Sequence, residues 1–420
     1  NSLFLLAKNT LQRKNKKTNK NKTPFQSHIK KSIFATILIN KFQLLAGLYI
    51  HIPFCKQACH YCNFHFATAL TYKSALVDAI CKEIGQRKDF FGGKKTLETV
   101  YFGGGTPSLM DERDLNKIWA AIELNFNVEK NAEITFEANP DDLNIDYLKI
   151  LKNTPINRLS IGIQSFLEAD LHYMNRAHNA LEAEKCIDDS LEIGFENISI
   201  DLIYGTPTLS DKDWERNLEK VFSKNINHIS AYALTQEPKT PLDKMIKIGK
   251  MAAPNDDKME NQFKILLQQI NTHGFLQYEI SNFAKPNSLA IHNNNYWKNK
   301  AYLGIGPSAH SYDLKNRQIN IPNNQKYIQA IEENKQYILT ENLSVDDKYN
   351  EYVMTRLRTM WGINKIELSD EFGLDYKFYF EKELKPFLEK KWVIENNAVI
   401  NLSNEGKLFA DKIAATLFKI

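Results

Sequence analysis

The cysteines constrain this chain more than anything else in it. Three of the five fall within eight residues, Cys55, Cys59 and Cys62, spaced C-x-x-x-C-x-x-C. An apolar run of Leu48, Tyr49, Ile50 and Ile52 leads into them and predicts a buried strand. Pro53 ends the ladder because it has no N–H to donate. The thiols therefore sit on a loop past a strand's C-terminal end, where α/β folds carry their chemistry. A structural zinc site is closed by four ligands. His51, His60 or His65 could supply the fourth, but no second C-x-x-C or H-x-x-x-H pair follows. A disulfide would strand one cysteine. A four-iron cluster is usually held by four cysteines, and held by three it keeps one iron open to a small molecule. The spacing favours that cluster over zinc or unliganded thiols.

An odd cysteine count with three clustered argues for a reducing, cytoplasmic setting, not a disulfide framework. The formal charge of +4 comes from one end. Residues 1–46 carry ten Lys or Arg and no Asp or Glu, and removing them leaves −6. A mildly acidic body gives no argument for nucleic acid. The basic leader has one Arg and lacks both an amphipathic pattern and a secretory cleavage site. It is expected to be disordered or absent from the native protein. Its apolar run, Ile33–Ile39, is too short to span a bilayer, so any membrane association is peripheral.

From Ala46-Gly47 onward, strand-like runs alternate with helical ones. Strands are expected at Leu48–Ile52, Leu97–Phe102, Ala132–Ala138, Asn157–Ile163, Asn197–Ile203 and His228–Ala233. Between them lie helices over Tyr72–Lys88, Asp111–Leu124, Ile145–Lys152, Leu167–Met174, Ala180–Glu192 and Trp214–Ser223. Six β-then-α units predict a parallel sheet wrapped by helices. Six fall short of a closed eightfold barrel, so the expectation is a partial (β/α)6 barrel, open on one side. Cys81, within the first helix, reads as a small buried hydrophobe. Thr235–Pro241 reads as a loop and Asp257–Thr272 as an amphipathic helix. The organisation expected is a leader at 1–46, a core at 47–285, a connecting segment at 286–343 and a helical domain at 344–420.

Polar oddities gather at the strand ends. Gly103-Gly104-Gly105-Thr106-Pro107 follows the second strand, and backbone without side chains can approach a ligand closely. Glu137 ends the third strand, Gln164 ends the fourth, and Arg176 follows twelve residues later. Asp201 lies between Ile200 and Leu202, and a carboxylate inside an apolar strand needs a partner. Taken together at successive strand ends, these residues indicate one site.

C-x-x-x-C-x-x-C after a strand resembles the radical S-adenosylmethionine (radical SAM) signature. The flanking Tyr49-Ile50-His51-Ile52-Pro53-Phe54 is similar to the branch containing oxygen-independent coproporphyrinogen III oxidase and its haem-chaperone relatives. The resemblance spans about residues 47–420. It implies a [4Fe-4S] cluster on Cys55, Cys59 and Cys62 whose open iron is chelated by the amino and carboxylate groups of S-adenosylmethionine (SAM). It implies that Gly104, Gly105 and Thr106 meet the methionyl amino group, and that Tyr49, Glu137, Gln164, Arg176, Asp201 and Ala233 are SAM contacts. Glu137 and Arg176 would serve the amino acid end and Asp201 the ribose. Tyr61 matches an aromatic position whose backbone meets the adenine.

His292-Asn293-Asn294-Asn295-Tyr296-Trp297 contains an imidazole able to ligate haem iron, with two aromatics to flank a macrocycle. On spacing alone it reads more readily as a loop histidine satisfied by neighbouring amides. H-N-x-x-Y-W resembles the haem-binding motif of the chaperone branch, which makes His292 the expected haem contact. The oxidase branch carries a fourth cysteine two residues after the third, and this chain has Phe64 there. The expectation is therefore a haem chaperone, with coproporphyrinogen decarboxylation as the alternative and a zinc-stabilised scaffold as a third reading. The first implies an electron donor and a haem-accepting protein, neither of which the residues identify. Residues 345–420 balance 12 Lys or Arg against 13 Asp or Glu. A winged-helix pattern there, without a basic face, predicts a lid or docking domain and no DNA binding.

Overall fold

A computed structural model describes residues 45–93 and 96–420, so the leader lies outside the described residues. The six expected strands form as β1 (Leu45–Ile52), β2 (Thr96–Gly104), β3 (Asn127–Ala138), β4 (Arg158–Gln164), β5 (Asn197–Tyr204) and β6 (His228–Ala233). They lie side by side in chain order, and β2 to β6 pair parallel in succession. The helices between them are α1 (Lys73–Gln86), α2 (Glu112–Asn125), α3 (Ile145–Lys152), α4 (Glu168–Met174), α5 (Ala180–Glu192) and α6 (Asp211–Ser223). Period-two alternation divides the sheet between two faces. Leu48, Ile50, Val100, Phe102, Ile134, Phe136, Leu159, Ile161, Ile198 and Ile200 form the buried apolar face. The other face is polar: Thr99, Glu133, Thr135, Arg158, Ser160, Ser199, His228 and Ser230 are all buried on it.

The partial barrel is as expected, but its sheet runs further at both ends. On one side come α7 (Pro241–Lys247), α8 (Asp256–Thr272), β7 (Leu276–Glu279) and β8 (Asn282–Ala284), with β8 antiparallel to β6. On the other, past α9 (Ile291–Trp297), β9 (Tyr302–Ile305) pairs parallel with β1. β10 (His310–Tyr312), β11 (Asn316–Asn320), α10 (Asn324–Glu332) and β12 (Ile338–Asn342) complete that side. Twelve strands result, with β12 and β7 as edges.

Glu83 of α1 fastens this extension to the barrel. It is fully buried and accepts bonds from Gly306 N (2.8 Å), Asn320 Nδ2 (2.8 Å), the Tyr327 hydroxyl (2.5 Å) and Arg87 Nη1 (3.4 Å). A buried carboxylate with four donors is satisfied where an unpaired one would be costly.

Ala46–Asn342 forms one compact unit and Leu343–Ile420 belongs to a second. The second contains α11 (Val345–Leu357), β13 (Ile363–Asn364), α12 (Lys365–Phe372), α13 (Leu374–Glu389), β14 (Val393–Asn396), β15 (Val399–Leu402), α14 (Asn404–Lys407) and α15 (Ala410–Leu417). Its helices pack beside a small β13-β15-β14 sheet, in the winged-helix manner. The buried Tyr349 hydroxyl donates to Leu417 O at 3.1 Å and ties the last helix to α11. Among the described residues no helix is long and apolar enough to cross a membrane.

Candidate functional site

The cysteine loop leaves β1 at Pro53 and returns at Ala67. Ala67 N bonds Pro53 O (2.8 Å) and Cys55 N bonds Ala67 O (3.0 Å), closing the loop at its neck. Its far side is stitched to the end of α4. His60 N bonds Met174 O (3.0 Å), Gln57 Nε2 bonds Asn175 O (3.1 Å), and Asn175 Nδ2 bonds Ala58 O (2.8 Å). Asn175 takes a left-handed conformation (φ 56°), which stops the helix and turns the next residue inward. That residue is Arg176. Its Nη1 lies 3.1 Å from Cys59 Sγ and 3.5 Å from the Tyr61 hydroxyl, and its Nη2 bonds Asn139 Oδ1 (2.7 Å) and Gly162 O (2.9 Å). Its buried Nε has no partner.

All five cysteines are free thiols. Cys55, Cys59 and Cys62 stand within electrostatic reach of one another. Burial pushes the Cys62 thiol up to about 12, with Cys59 and Cys55 adding to the shift; burial raises Cys55 as well. Three thiols on one loop, with the Thr106 side chain bonded to Cys55 and Arg176 Nη1 against Cys59 Sγ, form the kind of sulfur donor set that an iron–sulfur cluster takes. Among the described residues no three His, Cys, Asp or Glu side chains group tightly enough to hold a single metal ion.

The glycine run passes beneath the loop. Gly105 N bonds Ile52 O at 2.8 Å, and a Cβ on Gly105 would lie 2.5 Å from Phe54 O. Gly104 has φ +113°, and a Cβ there would meet His51 Nδ1 at 2.5 Å. Only glycine permits this approach. Thr106 is buried, hydrogen-bonds Cys55, and accepts from Asn139 Nδ2 at 3.1 Å.

Two carboxylates face this corner. Glu137 accepts from the Tyr101 hydroxyl (2.7 Å) and from Gly104 N (3.1 Å), and burial raises its pKa. Asp201 pairs in register with Ser230 and lies 3.5 Å from Ser160 Oγ. Burial, then the charge of Glu137, pushes its carboxyl up to about 7. Gln164 sits at a bulge in β4 with φ 65°, close beside Gly162 and Arg176. Ala233 ends β6 opposite Tyr204. Tyr61 packs on Tyr173, Met174, Ile203, Leu234 and Leu242. Tyr49 lies on β1 with its hydroxyl 3.1 Å from His51 Nδ1.

The structure therefore gathers Cys55, Cys59, Cys62, Tyr61, Gly104, Gly105, Thr106, Glu137, Gln164 and Arg176 at one end of the strands, with Asp201 electrostatically coupled to Glu137. Tyr49 joins them through Tyr101, its ring stacked at 6.0 Å. His292 reaches the group only through Tyr101, on which its ring stacks at 4.9 Å. It is not on a loop but in α9, 2% exposed, with both ring nitrogens occupied: Nδ1 by Thr99 Oγ1 and Nε2 by the Tyr296 hydroxyl, each at 2.8 Å. Burial lowers its pKa to about 3. Sequence reasoning missed Tyr101 and Asn139. Tyr101 could have been found by counting two residues back from Gly103 along one strand face; Asn139 carries no signal beyond its place before Pro140.

Family models for the radical SAM superfamily and the HemN C-terminal domain match residues 49–221 and 343–409. Heme chaperone HemW of Bacillus subtilis is 33% identical over 376 residues, 88% of this chain and 98% of that protein. Heme chaperone HemW of Buchnera aphidicola is 31% identical over 382 residues, 87% and 96% of the two chains. In fold, the chain is similar to the coproporphyrinogen III oxidase HemN of Escherichia coli, with a TM-score of 0.78 at 23% identity over 89% of this chain and 90% of that one. With relatives aligned over nearly their full length, this chain belongs to the radical SAM superfamily and, within it, to the heme chaperone HemW family.

Proposed function

We propose that this chain is a cytoplasmic haem chaperone that carries a [4Fe-4S] cluster and SAM, binds haem and passes it to a haem-requiring protein. The near full-length similarity to Heme chaperone HemW carries this reading. Cys55, Cys59 and Cys62 would hold the cluster, which when bound supplies the electron that can cleave SAM. Glu137, with two lone-pair directions already taken by Tyr101 and Gly104 N, keeps the rest for the SAM ammonium. The free Nε of Arg176 suits the SAM carboxylate. Asp201, with Ser160 and Ser230 beside it, suits the ribose hydroxyls. Gly104, Gly105 and Thr106 offer backbone, Tyr61 offers backbone to the adenine, and Tyr49, Gln164 and Ala233 line the remaining wall.

Haem ligation by His292 requires α9 to give up the bond to Thr99 or the one to Tyr296. Phe64, 45% exposed beside the cysteines, stands where the oxidase branch has a further thiol. The test is a titration of anaerobically reconstituted protein with haem, alongside an assay with coproporphyrinogen III, SAM and reductant. Stoichiometric haem binding without decarboxylation is expected. Decarboxylation without haem binding would establish the enzyme reading instead.

A further inference from the structure

The buried His292 has a place in the fold that ligand binding does not explain. Glu133 of β3 accepts from Ile291 N and His292 N, both at 2.8 Å, and so fastens the first turn of α9. Arg158 Nε lies 4.0 Å behind that carboxylate. The helix is thereby set against the polar face of the sheet, and a Cβ on Gly47 of β1 would lie 3.2 Å from His292 Cε1. With both nitrogens hydrogen-bonded, the imidazole is held in orientation, and it stacks on Tyr101. The rings stack with centroids 4.9 Å apart at 29°. Tyr49 packs against Tyr101 as well, at 6.0 Å and 30°. Tyr101 is therefore confined by two rings, and its hydroxyl points at Glu137 Oε1, 2.7 Å away. A stack of this kind contributes modestly by itself, yet it fixes where the hydroxyl points.

We infer that His292 is a positioning residue for Glu137, acting through the face of Tyr101. Glu137 has two fixed donors, Tyr101 and Gly104 N, and losing the first lets the carboxylate swing away from the glycine run. This rests on the reading of Glu137 as the receptor for the SAM ammonium. In the arrangement described, α9 supports the SAM end of the site, and drawing His292 onto an iron would release that support.

The experiment uses the full chain, reconstituted anaerobically, with SAM affinity measured by equilibrium dialysis and haem by titration. Tyr101→Phe keeps the ring and deletes only the bond to Glu137. It should weaken SAM about tenfold, the order expected for a hydrogen bond to a charged group, and leave haem stoichiometry at the wild-type value. His292→Ala should weaken SAM to a similar degree. His292→Phe, which retains an aromatic face and cannot ligate iron, should recover most of the SAM affinity. The inference is overturned if His292→Ala keeps the wild-type SAM affinity, or if Tyr101→Phe binds SAM as wild type does. A wild-type chain that binds no SAM overturns the underlying reading of the site instead.

Discussion

At the scale of single residues, the site is governed by buried charge. Asp201 shows it most clearly. A carboxyl held at about 7 in the folded chain, against 3.8 as its ordinary value, keeps its proton longer than it would unfolded. Its contribution to stability is complete below about pH 4 and is lost as pH rises through about 7. Ribose hydroxyls donate, so SAM recognises the ionised form. The affinity for SAM should therefore rise several-fold between pH 6 and pH 8 in wild type, measured by dialysis, while Asp201→Asn should bind weakly with a flatter profile. An equal pH slope in both would remove Asp201 from the ribose site. Asp201 stands out in the sequence because it interrupts an apolar strand, and Glu137 because it ends one. Tyr101 escaped because tyrosine is an ordinary strand residue, and only the register of β2 against β3 brings its hydroxyl to Glu137. His292 was noticed for its motif, but the burial that occupies both its nitrogens is a tertiary property.

At the scale of elements, the six β/α units were legible because apolar runs, caps and helical periodicity are local signals. Asp111 caps α2 by accepting from Asp114 N at 2.9 Å, as its position before the helix predicts. Ile145–Lys152 and Ala180–Glu192 begin and end where the sequence indicates. The misses have local reasons too. Helix α6 starts three residues early because Ser210 caps it and Asp213 N bonds the Ser210 side chain. Residues 235–240 are loop as expected, and α7, which the sequence reading did not assign, opens at Pro241 in its first turn, after the Thr240 cap, where the missing N–H costs nothing. Pairing of β9 with β1 was invisible, since four residues more than two hundred positions away carry no mark of their partner. The latch for that pairing is Glu83. Glu83→Ala should leave Gly306 N, Asn320, Tyr327 and Arg87 without their shared acceptor and destabilise the chain by about 3 kcal/mol or more, read as a lower midpoint in urea. Glu83→Gln, which keeps an acceptor, should lose less. A midpoint unchanged in the alanine variant would show that the extension is held otherwise.

For the whole molecule, the central claim is that a partial barrel brings three thiols, a glycine run, two carboxylates and one guanidinium to the same end of its strands, so that a cluster and SAM share one corner. The parallel sheet serves this, since Gly104, Glu137 and Gln164 lie at or beside the C-terminal ends of the adjacent strands β2, β3 and β4. The most direct measurement is electron paramagnetic resonance of the anaerobically reconstituted, dithionite-reduced chain, recorded before and after addition of SAM, with iron and sulfide determined on the same sample. The account predicts about four irons and four sulfides per chain, a cluster signal that changes when SAM binds, and loss of that signal in Cys59→Ala. A colourless protein holding one zinc, or a cluster whose signal is indifferent to SAM, would contradict it.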